Sequence, residues 1–199
     1  MKKTRDQLLD IAERHFAIYG FAGATLRGII KDAGTNVASI AYHFGTKEDL
    51  FQAVLERFAK PVVSQQLSKL ETELQSKNLK LRNVLLAFYE PPMKMAHSLG
   101  KKGEILSLFL GRSQTEPEPV FNEVDKHYAD CRDQFIKAFE RALPGLTKED
   151  YHWRFEFMLS LIVCFLTRQK QIRGRYETRT DWNPDEAINR MISFCESGF

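Results

Sequence analysis

The sequence has three cysteines in 199 residues, Cys131, Cys164 and Cys195, widely separated and odd in number. That usage argues against a disulfide framework and against a zinc site of closely spaced cysteine pairs, so the thiols read as reduced. Long apolar runs are missing as well. No stretch of about 18 residues is free of charge, and the amino-terminal residues lack the apolar segment and cleavage site of a secretory signal. The expected address is the cytoplasm, with no membrane partner. Strand-like alternation is nearly absent. So are a glycine-rich phosphate loop, a nucleophile elbow and an HExxH pair, which makes an enzyme the least supported class and implies no cofactor. An excess of one charge is also missing. The formal net charge is +3, and residues 1–58 carry eight Lys or Arg against seven Asp or Glu. Any contact with nucleic acid must therefore come from the placement of charges rather than their bulk.

What the chain does have is helical spacing. The 43% hydrophobic and 28% charged fractions are those of an ordinary globular protein, long enough for a substantial core. The segment TRDQLLDIAERHFAIYG opens with Thr4 and Gln7 as a capping box, carries Leu8, Ile11, Ala12, His15, Phe16 and Tyr19 at helical intervals, and stops at Gly20. Thr25 caps a second helix with Leu26, Ile29, Ile30 and Ala33, ended by Gly34. A third, NVASIAYHFG, is only about two turns long. Its apolar recurrence is Val37, Ile40 and Phe44, with the rest facing outward. Thr46 and Asp49 form a capping box for a fourth helix, which meets Pro61, where it should end or kink.

Further helical spacing covers 62–75, 79–98 (interrupted by Pro91 and Pro92), 103–114, 120–142, 148–172 and 184–196. The connections, including TEPEPV, ALPGLTKED and RYETRTDWNPDE, hold proline, glycine and caps, with Thr147 and Asp150 as another box. The expected fold is all-α: a helix-turn-helix module over 1–58, followed by a larger helical body over 59–199.

Two short helices joined by a tight glycine turn, held by a preceding helix, have the composition of a DNA-reading pair. In a major groove, the third helix would bring Ala38, Ser39 and Ala41 close to base edges, with alanine methyls against thymine methyls. Tyr42 and His43 would reach phosphates on the flank. Thr25 and Thr46 stand at helix amino termini, which offer backbone donors to phosphate, and Lys47 adds a cation. Arg27 suits a bidentate contact to guanine. Each has a plainer reading: Tyr42 and His43 as packing between helices, Arg27 as a phosphate-bound or surface cation.

The stretch TLRGIIKDAGTNVASIAYHFGTKEDLFQAVL resembles the amino-terminal domain of the TetR family of transcriptional regulators, most specifically in YHFGTKEDL. The resemblance spans about residues 4–58. It implies phosphate contacts at Thr25, Thr35, Tyr42, His43 and Lys47, and positions near bases at Arg27, Asn36, Ala38, Ser39 and Ala41. Many members carry an aromatic residue where this chain has Ala41, so the contact made there is reduced to one methyl. The resemblance further implies a homodimer on a palindromic operator of double-stranded DNA, and a repressor that releases it when the body binds a small molecule. The carboxy-terminal body more faintly resembles members that sense fatty acids or their thioesters.

The residues of the body leave choices open. The segment 151–172 is apolar almost all round between Phe155 and Leu166, so it needs cover on more than one side: with 185–199 it is either a subunit interface or a central helix covered within the chain. Phe109, Phe135, Phe139, Phe155 and Met158 either line an apolar cavity or are core. Arg112 either pairs with an acidic ligand head group or is solvated. A rival reading is a metal or redox sensor, since His127 and Cys131, four apart, share a helix face. Two ligands alone do not make a site.

Overall fold

Side chains that hydrogen-bond to the backbone start several of the helices. In the computed structural model, which describes residues 2–176 and 183–198, the helices are α1 (Lys2–Gly23), α2 (Leu26–Ala33), α3 (Val37–His43), α4 (Lys47–Leu74), α5 (Leu81–Ser98), α6 (Lys101–Ser113), α7 (Val120–Ala142), α8 (Lys148–Tyr176) and α9 (Pro184–Gly198). There is no strand among the described residues. The Thr25 hydroxyl accepts the Gly28 N–H at 3.1 Å to open α2. Thr46 and Asp49 cap α4 reciprocally, at 3.1 Å and 3.0 Å. Thr147 and Asp150 repeat that box at α8, both bonds being 3.1 Å. These satisfy backbone donors that have no partner within the helix. Part of the expected connection over 175–186 lies outside the described residues.

Four expectations need correction. Gln7 does not cap α1, which starts at Lys2; its side-chain amide instead donates to the Ala33 carbonyl at 3.1 Å, tying α1 to the end of α2. The first helix does not stop at Gly20. The backbone leaves helical geometry there (φ 71°, ψ 178°), and a further turn follows to Gly23. Pro61 does not end its helix: α4 runs from Lys47 to Leu74 through it. An interior proline costs about 3 kcal/mol, and burial of Phe58, Ala59 and Val62 around it offsets that cost. The same holds for α5, where Pro91 and Pro92 are themselves buried within a continuous helix.

Helices α1, α2 and α3 and the start of α4 form a head with its own apolar centre. Leu8, Ala12, Phe16, Ile29, Ile40 and Leu50 are sealed from solvent there. Phe16 meets Phe51 edge to face, with ring centroids 5.1 Å apart. Not every apolar position of the pattern goes inward, however. Tyr19 is 57% exposed and Val37 68%.

Helices α5 and α7 pack along α4, α8 lies against α6 and α7, and α9 covers α5. Phe109 of α6 joins head and body, packing against Phe51 at 5.7 Å and Phe58 at 5.3 Å. Beside it, the guanidinium of Arg57 on α4 meets Asp10 and Glu13 of α1, each at 2.9 Å, and Lys102 of α6 reaches Asp10 at 3.5 Å. Helix α6 runs between α5 and α8 and approaches both closely. A Cβ on Gly103 would fall 1.7 Å from the Ala96 carbonyl oxygen, and one on Gly111 2.5 Å from Thr167 Cγ2. At Gly103 backbone leaves no room for any side chain, and at Gly111 the Thr167 methyl would have to give way.

Candidate functional site

The exposed face of α3 is formed by Val37, Ala38, Ala41 and Tyr42, while Ile40 turns inward and anchors the helix. Because α3 is short, its amino terminus depends on its cap. The Asn36 side-chain oxygen accepts the Ser39 N–H at 3.1 Å and the Ser39 hydroxyl at 3.2 Å. The Thr35 hydroxyl in turn donates to Ser39 Oγ at 2.7 Å. Three candidates named from the sequence are thus one hydrogen-bonded cluster that fixes the first turn, and the Asn36 oxygen is committed to it. At the other end the N–H of Phe44 bonds to Ile40 O at 2.8 Å, and Gly45 takes φ 89°. The break between α3 and α4 is therefore set by backbone chemistry.

Around this face stand the remaining candidates. Thr25 and Arg27 are exposed at the start of α2. Tyr42 is 69% exposed, and its ring meets that of His43 edge to face at 5.0 Å. The Lys47 ammonium sits 4.4 Å from the Phe21 ring centroid, half-buried at the start of α4. This cation–π contact holds a flexible side chain in place. Hydrogen bonds from Thr46 keep the exposed Asp49 carboxyl below the usual range. Two residues were not singled out for this face. Val37 is an apolar group whose helical spacing suggested core. Arg5 is exposed and lies 5.0 Å from the Phe44 ring centroid, a pairing between α1 and the end of α3 for which the sequence carries no local signal.

The body candidates fall in different places. Phe155 lines a cavity of about 210 Å³ between α4, α5, α6, α7 and α8. Phe135, Phe139 and Met158 are buried but are not among its lining residues; Phe135 packs edge to face on Phe88 at 5.2 Å, and the Met158 carbonyl accepts the Tyr89 hydroxyl at 3.0 Å. Phe109 belongs to the junction with the head. Arg112 is not on the cavity wall either: its guanidinium donates to the Ile18 carbonyl of α1. Close by, the Glu116 carboxylate accepts the Phe21 N–H at 2.8 Å. The two side chains grip the backbone on either side of the Gly20 break. Between them in sequence, Gln114 and Thr115 line the cavity.

The cavity wall is mostly apolar, with rings from Phe88, Phe121, Tyr128 and Phe155. Its polar members were missed because they are spread over helices distant in sequence. Gln66, nearly sealed from solvent, donates to the Phe88 carbonyl at 2.8 Å. On α7, Asp125 accepts a hydrogen bond from Arg132. Helical spacing of 125, 128 and 132 puts these on one face, which is the only trace they leave in the sequence.

His127 and Cys131 share a helix but engage different neighbours. His127 Nε2 lies 2.7 Å from Gln52 Oε1, whereas the Cys131 thiol faces Gln66 at 3.8 Å. Burial pushes that thiol up to about 12, away from the thiolate that metal binding or oxidation requires. Among the described residues no three His, Cys, Asp or Glu cluster in a way that would hold a metal ion. Among them, too, no helix is long and apolar enough to cross a membrane.

Known proteins share both parts of the chain. Residues 8–54 match the family model described as bacterial regulatory proteins, tetR family. Residues 86–198 match the tetracyclin repressor-like, C-terminal domain. The HTH-type transcriptional dual regulator CecR of Shigella flexneri is 29% identical over 202 residues, spanning 96% of this chain and 89% of that protein. The HTH-type transcriptional repressor NicS of Pseudomonas putida is 37% identical over 86 residues, 43% of this chain and 40% of its own. In fold, the chain is similar to the fatty acid degradation regulator FadR from Bacillus halodurans, with a TM-score of 0.67 at 16% identity and 98% of each chain covered. With a helix-turn-helix head that matches one family model and a helical body that matches the other, the chain belongs to the TetR family of bacterial transcriptional regulators.

Proposed function

We propose that this regulator is a homodimeric repressor that reads a palindromic operator in double-stranded DNA and releases it when a small, largely apolar molecule enters the body. Residues 1–58 form the reading domain and 59–199 the ligand-binding and dimerisation domain, with α4 common to both. The observation that carries the reading is the outward face of α3: small side chains in the middle, hydrogen-bonding rings at one end, and a first turn fixed by its own cap. Such a face lets a helix backbone approach base edges while its ends grip phosphate. Thr25, Thr35, Tyr42, His43 and Lys47 take the phosphate contacts. Arg27, Asn36, Ala38, Ser39 and Ala41 lie towards the bases, and Val37 adds an apolar contact.

The dimer reading rests on α8 and α9. Trp153 and Phe157 stack on the outside of α8 with centroids 5.8 Å apart, 55% and 59% exposed, and Phe194 of α9 is 67% exposed. A second copy covers them, and two-fold symmetry then places two copies of α3 about one turn of DNA apart or a multiple of it. The effector reading rests on the cavity, whose wall continues through Gln114 and Thr115 into the Arg112 and Glu116 grip on α1. A fatty acid or its thioester is the effector class the fainter resemblance implies, with the fold likeness to FadR behind it. A regulator of this kind acts on DNA in the cytoplasm and performs no catalysis.

The test is selection of bound sequences from a random duplex library at stated moderate salt. Recovery of a palindrome is the expected outcome. Folded protein that enriches nothing overturns the reading.

A further inference from the structure

We propose that the body cavity takes a small apolar organic cation, one or two rings carrying an ammonium group. This rests on the reading of the cavity as the effector site, and it departs from the fatty acid or thioester that the fainter resemblance implies. The charges on the wall point to a cation. Arg132 is the one lining cation among the described residues, and it is already engaged, by Asp125 through a hydrogen bond and by Asp133 at 3.8 Å. Asp125 and Glu156 both line the cavity, so its formal charge is negative. A carboxylate head group entering here would meet two carboxylates and an arginine held by others. An ammonium would meet the opposite, with no need to break the existing pair.

The apolar part of the wall favours the same class. Phe88, Phe121, Tyr128 and Phe155 offer ring faces and edges, and aromatic faces attract cations. Gln66 and the Tyr128 hydroxyl, the latter bonded to Gln114, supply neutral polar atoms rather than a counter-charge for an anion. The size sets the limit. At about 210 Å³ the cavity is smaller than the roughly 300–1,000 Å³ of pockets for drug-sized ligands, and larger than the roughly 150 Å³ that holds benzene. One or two rings with a short alkyl arm match this volume.

Four probes test it on the full-length protein by titration calorimetry at neutral pH: phenylpropylammonium, phenylpropanol and phenylpropanoate, which differ only in head group, and decanoate. The ammonium should bind about tenfold tighter than the propanoate. Glu156→Gln and Asp125→Asn should each erode that preference while leaving the affinity for phenylpropanol within about twofold; Glu156 is exposed, so its variant folds. Tighter binding of phenylpropanoate or decanoate overturns the charge assignment and leaves the effector reading standing. A preference that survives both substitutions also overturns it. Binding of none of the four at millimolar concentration overturns both.

Discussion

The guanidinium of Arg112, near the end of α6, donates a hydrogen bond to the backbone carbonyl of Ile18, two residues before α1 leaves helical geometry. Glycine at position 20 supplies the positive φ that this geometry needs, and the strain of placing any other residue there would fall on the same short segment. Charge-assisted bonds of this kind contribute about 1.5–3 kcal/mol. Arg112→Ala should therefore leave a folded protein whose backbone amides near residues 18–23 exchange with solvent about tenfold faster. Hydrogen-exchange mass spectrometry reads this directly, and unchanged protection would show that the contact holds nothing.

On the reading face, the expected losses differ in kind. Tyr42→Ala and Lys47→Ala should both weaken binding to all sequences about equally, but only Lys47→Ala removes a charge and should reduce the dependence of log affinity on log salt by about one. Arg27→Ala should relax preference at one base position, by about 1–3 kcal/mol. Val37→Ser should weaken binding without altering the salt dependence. Fluorescence anisotropy with the selected operator across a salt series separates these outcomes.

Glu13 gives a pH dependence with a definite sign. Burial raises its carboxyl from 4.5 to about 7, against the opposing pull of Arg57 and Lys102. The native state then holds a proton that the unfolded chain releases, so stability should fall as pH rises from about 4.5 to about 7. A shift of that size amounts to about 3 kcal/mol over the window. Glu13→Gln should flatten this part of the profile in chemical denaturation, and a profile parallel to that of the parent would remove Glu13 from the account.

Gly111→Ala sets helix propensity against packing. Alanine gains about 1 kcal/mol in a helix interior, but its Cβ would lie 2.5 Å from Thr167 Cγ2 and 3.1 Å from the Val163 carbonyl oxygen. Overpacking of this kind costs about 1–3 kcal/mol, so the net effect should be a Tm lower by a few degrees. Thr167→Ser removes the struck methyl and should restore most of the loss in the double variant. Gly103→Ala meets backbone at 1.7 Å and should cost more, with no side chain available to relieve it.

On α8, Phe157→Glu together with Trp153→Glu should yield a monomer by light scattering and weaken operator binding by more than tenfold, since one head would then have to bind alone. A dimer that persists would move the subunit interface elsewhere.

The caps and turns were legible because they are local. Thr25, the Thr46–Asp49 and Thr147–Asp150 boxes, and Gly34 each act within four residues of themselves, and the structure has them where the sequence puts them. What escaped depends on elements far apart in the chain. Pro61 has the local chemistry of a helix stop and is overruled by burial on both sides. Gln7 fits a capping box until α2 offers it the Ala33 carbonyl. Val37 has a core spacing, but α3 is too short to bury more than one side of itself. Arg112 follows an apolar run that made it a candidate for a ligand, and only the placement of α1 against α6 reveals the carbonyl it serves instead. The cavity is drawn from five helices, so no short stretch of sequence could outline it.

Because α4 does not break at Pro61, the segment that begins at Lys47 and ends at Leu74 is a single rod of 28 residues, about 42 Å long at helical rise. Such a rod is a lever. A tilt of only about 5° about its far end carries Lys47 through about 4 Å, more than the roughly 3.4 Å between successive base pairs. On such a lever a displacement of about 1 Å at Gln66, about 12 Å from that end, corresponds to about 4 Å at Lys47.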